Sequence, residues 1–185
     1  MQTIVLARHC KTDWNAEGRV QGQTDRPLNP DGLTQAQELA CAMRDDPHLR
    51  IQIIVTSDLK RAVQTATIIA EVLHIPMQDV RLDSRLRECS FGNLEGSTFF
   101  ELKHRLKEDA RASNSEYDLT EHGGESSCQV TTRQVAALRD HCPSLAPSSH
   151  LLVIGHGRSL GTLLHHFQHK HPLIQGRYQL LTISL

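Results

Sequence analysis

Apolar residues in this chain occur in short uninterrupted runs and in longer segments with a helical spacing. An uninterrupted run is typical of a strand buried on both faces, and apolar positions three and four apart are typical of a helix with one buried face. The predicted buried strands are residues 2–7, 51–56 and 151–154. The predicted helices are residues 30–43, 59–73, 125–142 and 158–168. This alternation indicates an α/β domain with a mainly parallel sheet.

Polar residues at the ends of these segments predict where the helices begin. Asn29 followed by Pro30 provides an N-cap and a first-turn proline. Ser57 is in position to cap the next helix. Thr98 with Glu101 fits a capping box, which predicts a further helix after residue 98.

Three more segments complete the predicted fold. Residues 79–83 form a short strand, residues 181–185 alternate like a final strand, and residues 92–124 form an insertion that we expect to act as a lid. No repeat or linker divides the chain. We therefore predict one domain over residues 1–185, a three-layer α/β/α sandwich with a mainly parallel central sheet.

The composition is that of an ordinary globular protein. Of 185 residues, 38% are hydrophobic and 22% charged, and 20 basic residues balance 21 acidic ones, which indicates neither a nucleic-acid nor a membrane partner. The first strand begins at Gln2, which leaves no room for a signal peptide. Five cysteines without a CxxC spacing predict free thiols in a reducing compartment, so we expect a cytoplasmic protein. The oligomeric state stays open.

Two predicted strands run directly into a histidine. Arg8 and His9 follow the first strand, and His156 with Gly157 follows the strand near the C-terminus. Because the carboxyl ends of parallel strands meet at one edge of a sheet, we expect both histidines in one pocket. A neutral imidazole can act as a nucleophile, and an adjacent arginine favours an anionic substrate. These residues therefore suggest phosphoryl transfer.

Two further charged positions fit that chemistry. Arg61 lies in the first turn of a predicted helix, where the helix dipole disfavours a cation unless an anion binds there; a solvent-facing Lys60–Arg61 pair is the alternative. A leaving alkoxide also needs a proton, for which Glu88 is the first candidate and Glu95 the second. An isolated glutamate is more often structural than catalytic.

Short motifs along nearly the whole chain, taken together, resemble one known family. They are Arg8-His9, Thr12-x-Trp14-Asn15, Gln21-Gly22, Pro27-Leu28 with Gly32, Thr56-Ser57-Asp58-Leu59-x-Arg61-Ala62-x-Gln64-Thr65, Glu88 with Phe91-Gly92-x-Leu94-Glu95-Gly96, Gly124-Glu125-Ser126 and His156-Gly157. In this order they resemble the phosphoglycerate mutase-like branch of the histidine phosphatase superfamily. The resemblance implies a phosphoglycerate mutase-like fold.

The resemblance also implies catalytic roles. His9 would be the nucleophile that forms a phosphohistidine. The residues that would hold the phosphoryl oxygens are Arg8, Arg61 and His156. Glu88 would act first as the acid and then as the base for water.

Four further positions would serve substrate binding by the same resemblance. Asn15 would add a neutral hydrogen bond, Gln21 with Gly22 would form the substrate rim, and Gly157 would allow close approach of the backbone. The family uses no metal or organic cofactor, so the expected partners are a small phosphomonoester substrate and inorganic phosphate. The sequence does not identify which phosphomonoester is the substrate.

The chain departs from the family pattern beside the predicted nucleophile. Cys10 stands where the family usually has glycine, and Lys11 where glutamate is common. Cys10 is either a near-site thiol whose alkylation slows turnover or a small buried apolar side chain. The second interpretation agrees better with the usual behaviour of cysteine.

Other interpretations of these motifs are weaker. A cysteine-dependent phosphatase would need arginine where Ala16 follows Cys10, and a dinucleotide fingerprint would need glycine at Leu160. His165 and His169 could chelate a metal from one helix face, but no carboxylate or cysteine cluster completes such a site.

Two functional alternatives stay open within the family. A mutase would keep water from the phosphohistidine, whereas this chain is short and ends in an apparent core strand, and residues 18–28 look more like the phosphatase members. A catalytically weak binding protein is the other alternative. We predict a phosphatase.

Overall fold

The computed structural model describes residues 2–105, 116–142, 145, 148–169 and 171–184. Its strands are β1 (Gln2–Arg8), β2 (Ile51–Thr56), β3 (Val80–Leu82), β4 (His150–Gly155) and β5 (Tyr178–Ile183). Its helices are α1 (Asp13–Ala16), α2 (Pro30–Arg44), α3 (Lys60–Val72), α4 (Phe99–Arg105), α5 (Ser127–His141) and α6 (Gly157–His166). Within these described residues, no helix combines the length and apolar character needed to cross a membrane.

The five strands form one sheet in the order β3-β2-β4-β1-β5. All neighbouring pairs are parallel except β1 with β5, which confirms the predicted mainly parallel sheet. In the β1–β4 pair, Arg8 is opposite Gly155, and the N–H of His9 donates to the Gly155 carbonyl at 2.9 Å. This register places the residues that follow β1 and β4 side by side.

Helices cover both faces of the sheet, as the three-layer prediction requires. Side chains alternate along β1: Ile4 and Leu6 pack in the core under α5 and α6, and Val5 and Ala7 pack in the core under α2 and α3. All four are fully buried. Burial of each large aliphatic side chain contributes about 1.5–3 kcal/mol, which stabilises the central strands on both faces.

The predicted element boundaries agree with the structure to within about three residues at most ends, as expected for helix ends that fray. Asn29 caps α2 by accepting from the Gly32 N–H, as predicted. The capping prediction for Ser57 is wrong, because Leu59 is the N-cap of α3 and makes no side-chain capping bond. The short helix α1 was not predicted, and the last strand begins at Tyr178 rather than at residue 181.

The predicted insertion, residues 92–124, is described only in part. Thr98 and Glu101 form the predicted capping box at the start of α4. Leu94, Leu102 and Leu119 pack in a third, smaller apolar cluster with Val20, Cys89, Phe91 and Val130. Residues 106–115 of this insertion lie outside the described residues. The lid role of the segment stays a prediction.

Candidate active site

The hydrogen bond from His9 fixes which ring nitrogen can react. His9 follows β1 and is 2% exposed, and its Nδ1 lies 2.6 Å from the Cys10 carbonyl oxygen. A carbonyl oxygen only accepts, so Nδ1 carries the proton and Nε2 carries a lone pair. Burial and then the charges of Arg61 and Arg8 hold the pKa of His9 well below its ordinary value. The ring is therefore neutral, as a nucleophile must be.

His156 has the opposite tautomer for the same kind of reason. It is fully buried as the N-cap residue of α6, and its Nδ1 accepts from Nε of Arg61 at 3.2 Å. Its Nε2 therefore carries a hydrogen, and this buried atom has no partner among the described residues. The His156 ring centroid lies 5.1 Å from that of His9. An unpaired donor next to a nucleophile is what a bound phosphoryl group requires.

Arg61 is a buried cation that organises this pair. Its side chain is fully buried, so the solvent-facing Lys60–Arg61 alternative is wrong for Arg61. Besides its bond to His156, it donates from Nη2 to the Gly22 carbonyl at 2.7 Å and from Nη1 to the Thr24 carbonyl at 2.8 Å. Burial lowers its pKa to about 10, against the opposing charge of Glu88. The guanidinium stays charged at neutral pH.

Arg8 provides a second unpaired donor. Its Nε is buried and has no partner among the described residues, and burial lowers its pKa while the charge of Glu88 raises it. A Cβ built on Gly157 would stand 3.0 Å from Cζ of Arg8. Glycine at this position therefore lets the guanidinium lie against the start of α6. Two unpaired donors and a neutral imidazole form an oxyanion site beside His9.

Asn15 and Gln21, both predicted for substrate binding, meet through Thr12. Thr12 Oγ1 lies 3.0 Å from Gln21 Oε1 and 3.1 Å from Asn15 Oδ1. Asn15 Oδ1 also accepts from the Thr12 N–H and from Nε2 of Gln175. Its oxygen is thus occupied, which leaves the amide N–H₂ of Asn15 to face the cavity it lines. Gln175 also donates to the His9 carbonyl at 3.2 Å, a contact that no sequence motif signalled.

Glu88 lies at the N-terminus of α6, against the same cavity as His9. Its Oε1 accepts from the N–H groups of Cys89 at 2.9 Å and Ser159 at 2.8 Å, and Oε2 accepts from the Arg158 N–H at 3.1 Å. It is 9% exposed. A carboxylate is favoured at a helix N-terminus by the helix dipole. Within the described part of the chain Oε2 accepts this one backbone hydrogen bond, so a lone pair is left for a proton.

Glu95, the second candidate for the acid, has a different position. Its Oε1 accepts from the Gln23 N–H, and its Oε2 accepts from the N–H and hydroxyl of Thr24. It therefore fixes the turn whose carbonyls bind Arg61, and it does not line the cavity. Gly22, predicted for the substrate rim, has a φ of +51° and contributes its carbonyl to Arg61. Of the two candidates, Glu88 is the one that lines the cavity.

Comparisons with known proteins identify the family of this chain. The model of the histidine phosphatase superfamily, branch 1, matches residues 4–185. The chain belongs to this superfamily. It is 38% identical over 165 residues to the probable phosphoglycerate mutase GpmB of Escherichia coli O1:K1 / APEC, across 89% of this chain and 74% of that protein.

Two solved structures resemble this chain. A mycobacterial glucosyl-3-phosphoglycerate phosphatase in complex with VO3 has a TM-score of 0.81 and 27% sequence identity, over 98% of this chain and 91% of that one. YhfR of Bacillus stearothermophilus has a TM-score of 0.81 and 26% identity, over 100% of this chain and 92% of that one.

The cavity beside His9 is much larger than a phosphate group. Its volume is about 1020 Å³, within the upper range of small-molecule sites. The side chains that line this cavity outside the oxyanion site include Arg19, Val20, Phe91, Phe99, Arg158 and His165. The guanidinium of Arg158 lies 4.7 Å from the ring centroid of Tyr117 and 5.1 Å from that of Phe91. Sequence reasoning did not single out Arg158, because its neighbours are distant in the chain.

Cys10 is a buried core residue in this protein. Its side chain is fully buried with Val5, Ala7 and Ala36, and burial raises the pKa of its thiol to about 11. Its N–H donates to Thr65 Oγ1 at 3.1 Å, and its carbonyl accepts from His9. The structure therefore favours the apolar interpretation of Cys10 over a reactive thiol.

The histidine-rich end of α6 does not form a metal site in the described part of the chain. No group of three or more His, Cys, Asp or Glu side chains is arranged to hold a metal ion there. His169 instead meets His171 edge to face, with ring centroids 5.9 Å apart, and its Nδ1 lies 3.1 Å from Nε2 of Gln179. All five cysteines are free thiols, as predicted.

Proposed function

We propose that this protein is a metal-independent phosphomonoester hydrolase that acts on a small phosphorylated metabolite through a phosphohistidine at His9. The observation that carries the proposal is the fixed tautomer of His9, which presents the Nε2 lone pair beside the unpaired donors of Arg8 and His156. A nucleophile of that kind, next to donors that can neutralise transferring oxygens, is what phosphoryl transfer requires.

The first step forms the phosphoenzyme. The Nε2 lone pair of His9 attacks phosphorus, and the bond between phosphorus and the ester oxygen breaks. Arg8 Nε and His156 Nε2 donate hydrogen bonds to the non-bridging oxygens. Glu88, a carboxylate before the substrate binds, takes the proton of the monoanionic phosphate ester and gives it to the leaving alkoxide, so the alcohol departs and Glu88 is again a carboxylate.

The second step releases phosphate. The Glu88 carboxylate takes a proton from water as the water oxygen attacks phosphorus, and the bond between phosphorus and Nε2 of His9 breaks. Inorganic phosphate takes that proton from Glu88 as it leaves, so His9 is again a neutral ring and Glu88 is again a carboxylate. Arg61 holds the His156 tautomer throughout, because its Nε–H occupies Nδ1.

A phosphoglycerate mutase is the second candidate function. The 38% identity to a protein named probable phosphoglycerate mutase supports it, as does the 2% exposure of His9, since a mutase must limit access of water to its phosphohistidine. In that case the phosphoryl group would return to a second hydroxyl of the substrate rather than pass to water.

Phosphate release from a panel of phosphorylated metabolites, measured in EDTA, tests the proposal. We expect steady release from at least one metabolite by the wild type and by His48→Ala, a control at an exposed position. The variant His9→Ala should release none. Assays with 3-phosphoglycerate plus its bisphosphate test for the mutase. Isomerisation that exceeds hydrolysis for every substrate, or release that requires added metal, contradicts the proposal.

A further inference from the structure

The side chain of Arg133, on α5, uses all five of its N–H donors next to Glu88. Nε and Nη2 donate to the two carboxylate oxygens of Glu125 at 2.8 and 2.9 Å. Nη1 donates to the carbonyls of Arg85 at 2.6 Å and Arg87 at 2.8 Å, and Nη2 also donates to the Glu88 carbonyl at 3.0 Å. A guanidinium has five donors, so none is left over.

Glu125 fixes the backbone on the other side of Glu88. Its Oε2 accepts from the Ser90 N–H at 2.8 Å and lies 3.4 Å from Nε2 of Gln23, which also donates to the Glu88 carbonyl at 3.2 Å. Burial alone would raise the pKa of Glu125, but the hydrogen bonds from Arg133 and Ser90 lower it overall. The pair is therefore charged at neutral pH.

The segment from Arg87 to Ser90 is neither helix nor strand, so no ladder of backbone bonds fixes its position. The Arg133–Glu125 pair fixes this segment instead, because it binds backbone groups of residues before, at and after Glu88. Both side chains are largely shielded from water, with 18% and 21% exposed. A lysine could not reproduce this arrangement, because its three donors leave from a single atom.

We propose that Arg133, held by Glu125, is a positioning residue that sets the carboxyl of Glu88 at the leaving-group oxygen. The inference rests on the proposed role of Glu88 as the acid. It assigns a catalytic consequence to a residue that contacts neither the substrate nor the oxyanion site. A displacement of about 1 Å in a catalytic group can lower a rate by up to about a hundredfold.

A purely structural role would have a different kinetic effect from a positioning role. A misplaced acid slows departure of an alkoxide, which needs a proton, far more than departure of a nitrophenolate, which is stable without one. A general loosening of the site slows both. The ratio of kcat/KM for p-nitrophenyl phosphate to kcat/KM for glycerol phosphate separates the two, because kcat/KM reports on phosphoenzyme formation.

The experiment compares Arg133→Lys and Glu88→Gln, singly and together, with the wild type on these two substrates. Arg85→Lys is the matched control, because the Arg85 side chain binds Asp83 and Asp140 instead of the segment that carries Glu88. We expect Arg133→Lys to lower kcat/KM for glycerol phosphate about ten- to a hundredfold more than for p-nitrophenyl phosphate. Arg85→Lys should leave the ratio unchanged. In the double variant the losses should not add, since both act through one carboxyl.

The outcomes separate this inference from the proposed function. Equal loss on both substrates in Arg133→Lys, with a selective loss in Glu88→Gln, overturns the positioning role and leaves the acid role intact. Equal loss on both substrates in Glu88→Gln overturns the acid role itself. If Arg133→Lys does not fold by circular dichroism, Glu125→Gln serves in its place, with the same expected selectivity and the same contradicting result.

Discussion

One hydrogen bond joins Arg61 to His156, and its direction sets the proton of the imidazole. Nε of the arginine can only donate, so Nδ1 of the histidine accepts, and the hydrogen on the other ring nitrogen is left for an anion. The same arginine binds two carbonyls of the turn at residues 22–24. The buried guanidinium of Arg61 thus acts on the oxyanion site partly through the ring of His156.

Binding of an oxyanion should stabilise the protein, because it supplies partners for two buried donors. We expect vanadate or phosphate at a hundredfold excess over Kd to raise the free energy of unfolding by about 2.7 kcal/mol. Thermal unfolding with and without the anion measures this. His156→Gln and Arg8→Gln should lose most of the shift. Lys60→Gln, which removes an exposed cation next to Arg61, should keep it; an equal shift in all three variants would contradict the assigned site.

Substitution of Gly157 should impair anion binding with little effect on stability. A Cβ at this position would lie too close to the guanidinium of Arg8. The guanidinium can move away, because it is the end of a flexible side chain. We expect Gly157→Ala to lower kcat/KM and to weaken inhibition by phosphate, each by about tenfold or more. Gly161→Ala in the same helix, where a Cβ meets nothing within 4 Å, is the control. It should keep its inhibition by phosphate, because its Cβ does not approach Arg8, and it should gain about 0.5–1 kcal/mol of stability.

The two buried histidines should make the protein less stable in acid. The pKa values of His9 and His156 are held well below the ordinary value, first by burial and then by Arg61. As pH falls through about 6.5, the unfolded chain binds protons that the folded protein does not, so stability is lost. Each histidine should contribute a loss on the order of 1 kcal/mol between pH 7.5 and 5.5.

Urea unfolding at the two pH values measures this loss in the wild type and in His9→Asn/His156→Gln. Between the two pH values, the double variant should lose clearly less stability than the wild type, because both buried histidines are removed. His48→Gln should behave as the wild type, because that side chain is exposed in the folded protein as well as in the unfolded chain. An unchanged pH dependence in the double variant would show that the histidines are not buried as neutral rings.

Cys10 should resist alkylation in the folded protein. Its burial and its raised thiol pKa of about 11 both disfavour the thiolate that reacts. Iodoacetamide at neutral pH should label exposed Cys128 first and leave turnover unchanged, as followed by mass spectrometry of peptides. Rapid labelling of Cys10 with parallel loss of activity would restore the interpretation of a reactive near-site thiol.

The sequence was sufficient to predict the sheet and the meeting of the two histidines. Uninterrupted apolar runs identify buried strands, and parallel strands bring Arg8, His9 and His156 to one edge wherever the helices lie. The three layers follow from the same pattern. These features follow from the spacing of apolar residues, which can be determined from a single sequence.

The contacts that complete the site depend on loops, which periodicity does not describe. The sequence ranked Glu88 before Glu95 but did not show their partners. The path of the loop brings Glu88 to α6 and Glu95 to the turn at residues 22–24. Gln175 reaches Asn15 across 160 residues of chain. In the sequence, Arg133 is an ordinary polar residue of a helical pattern. Only the structure shows that its guanidinium donates to three carbonyls of another segment.

The most direct test of the central claim is to trap the phosphoenzyme. Enzyme mixed with a radiolabelled phosphomonoester and quenched within milliseconds should carry label that is stable in base and lost in acid, as expected for a phosphoramidate. Mass spectrometry of the base-treated peptide should assign the added group to His9, and His9→Asn should carry none. Label on another residue, or full turnover by His9→Asn, would contradict the account.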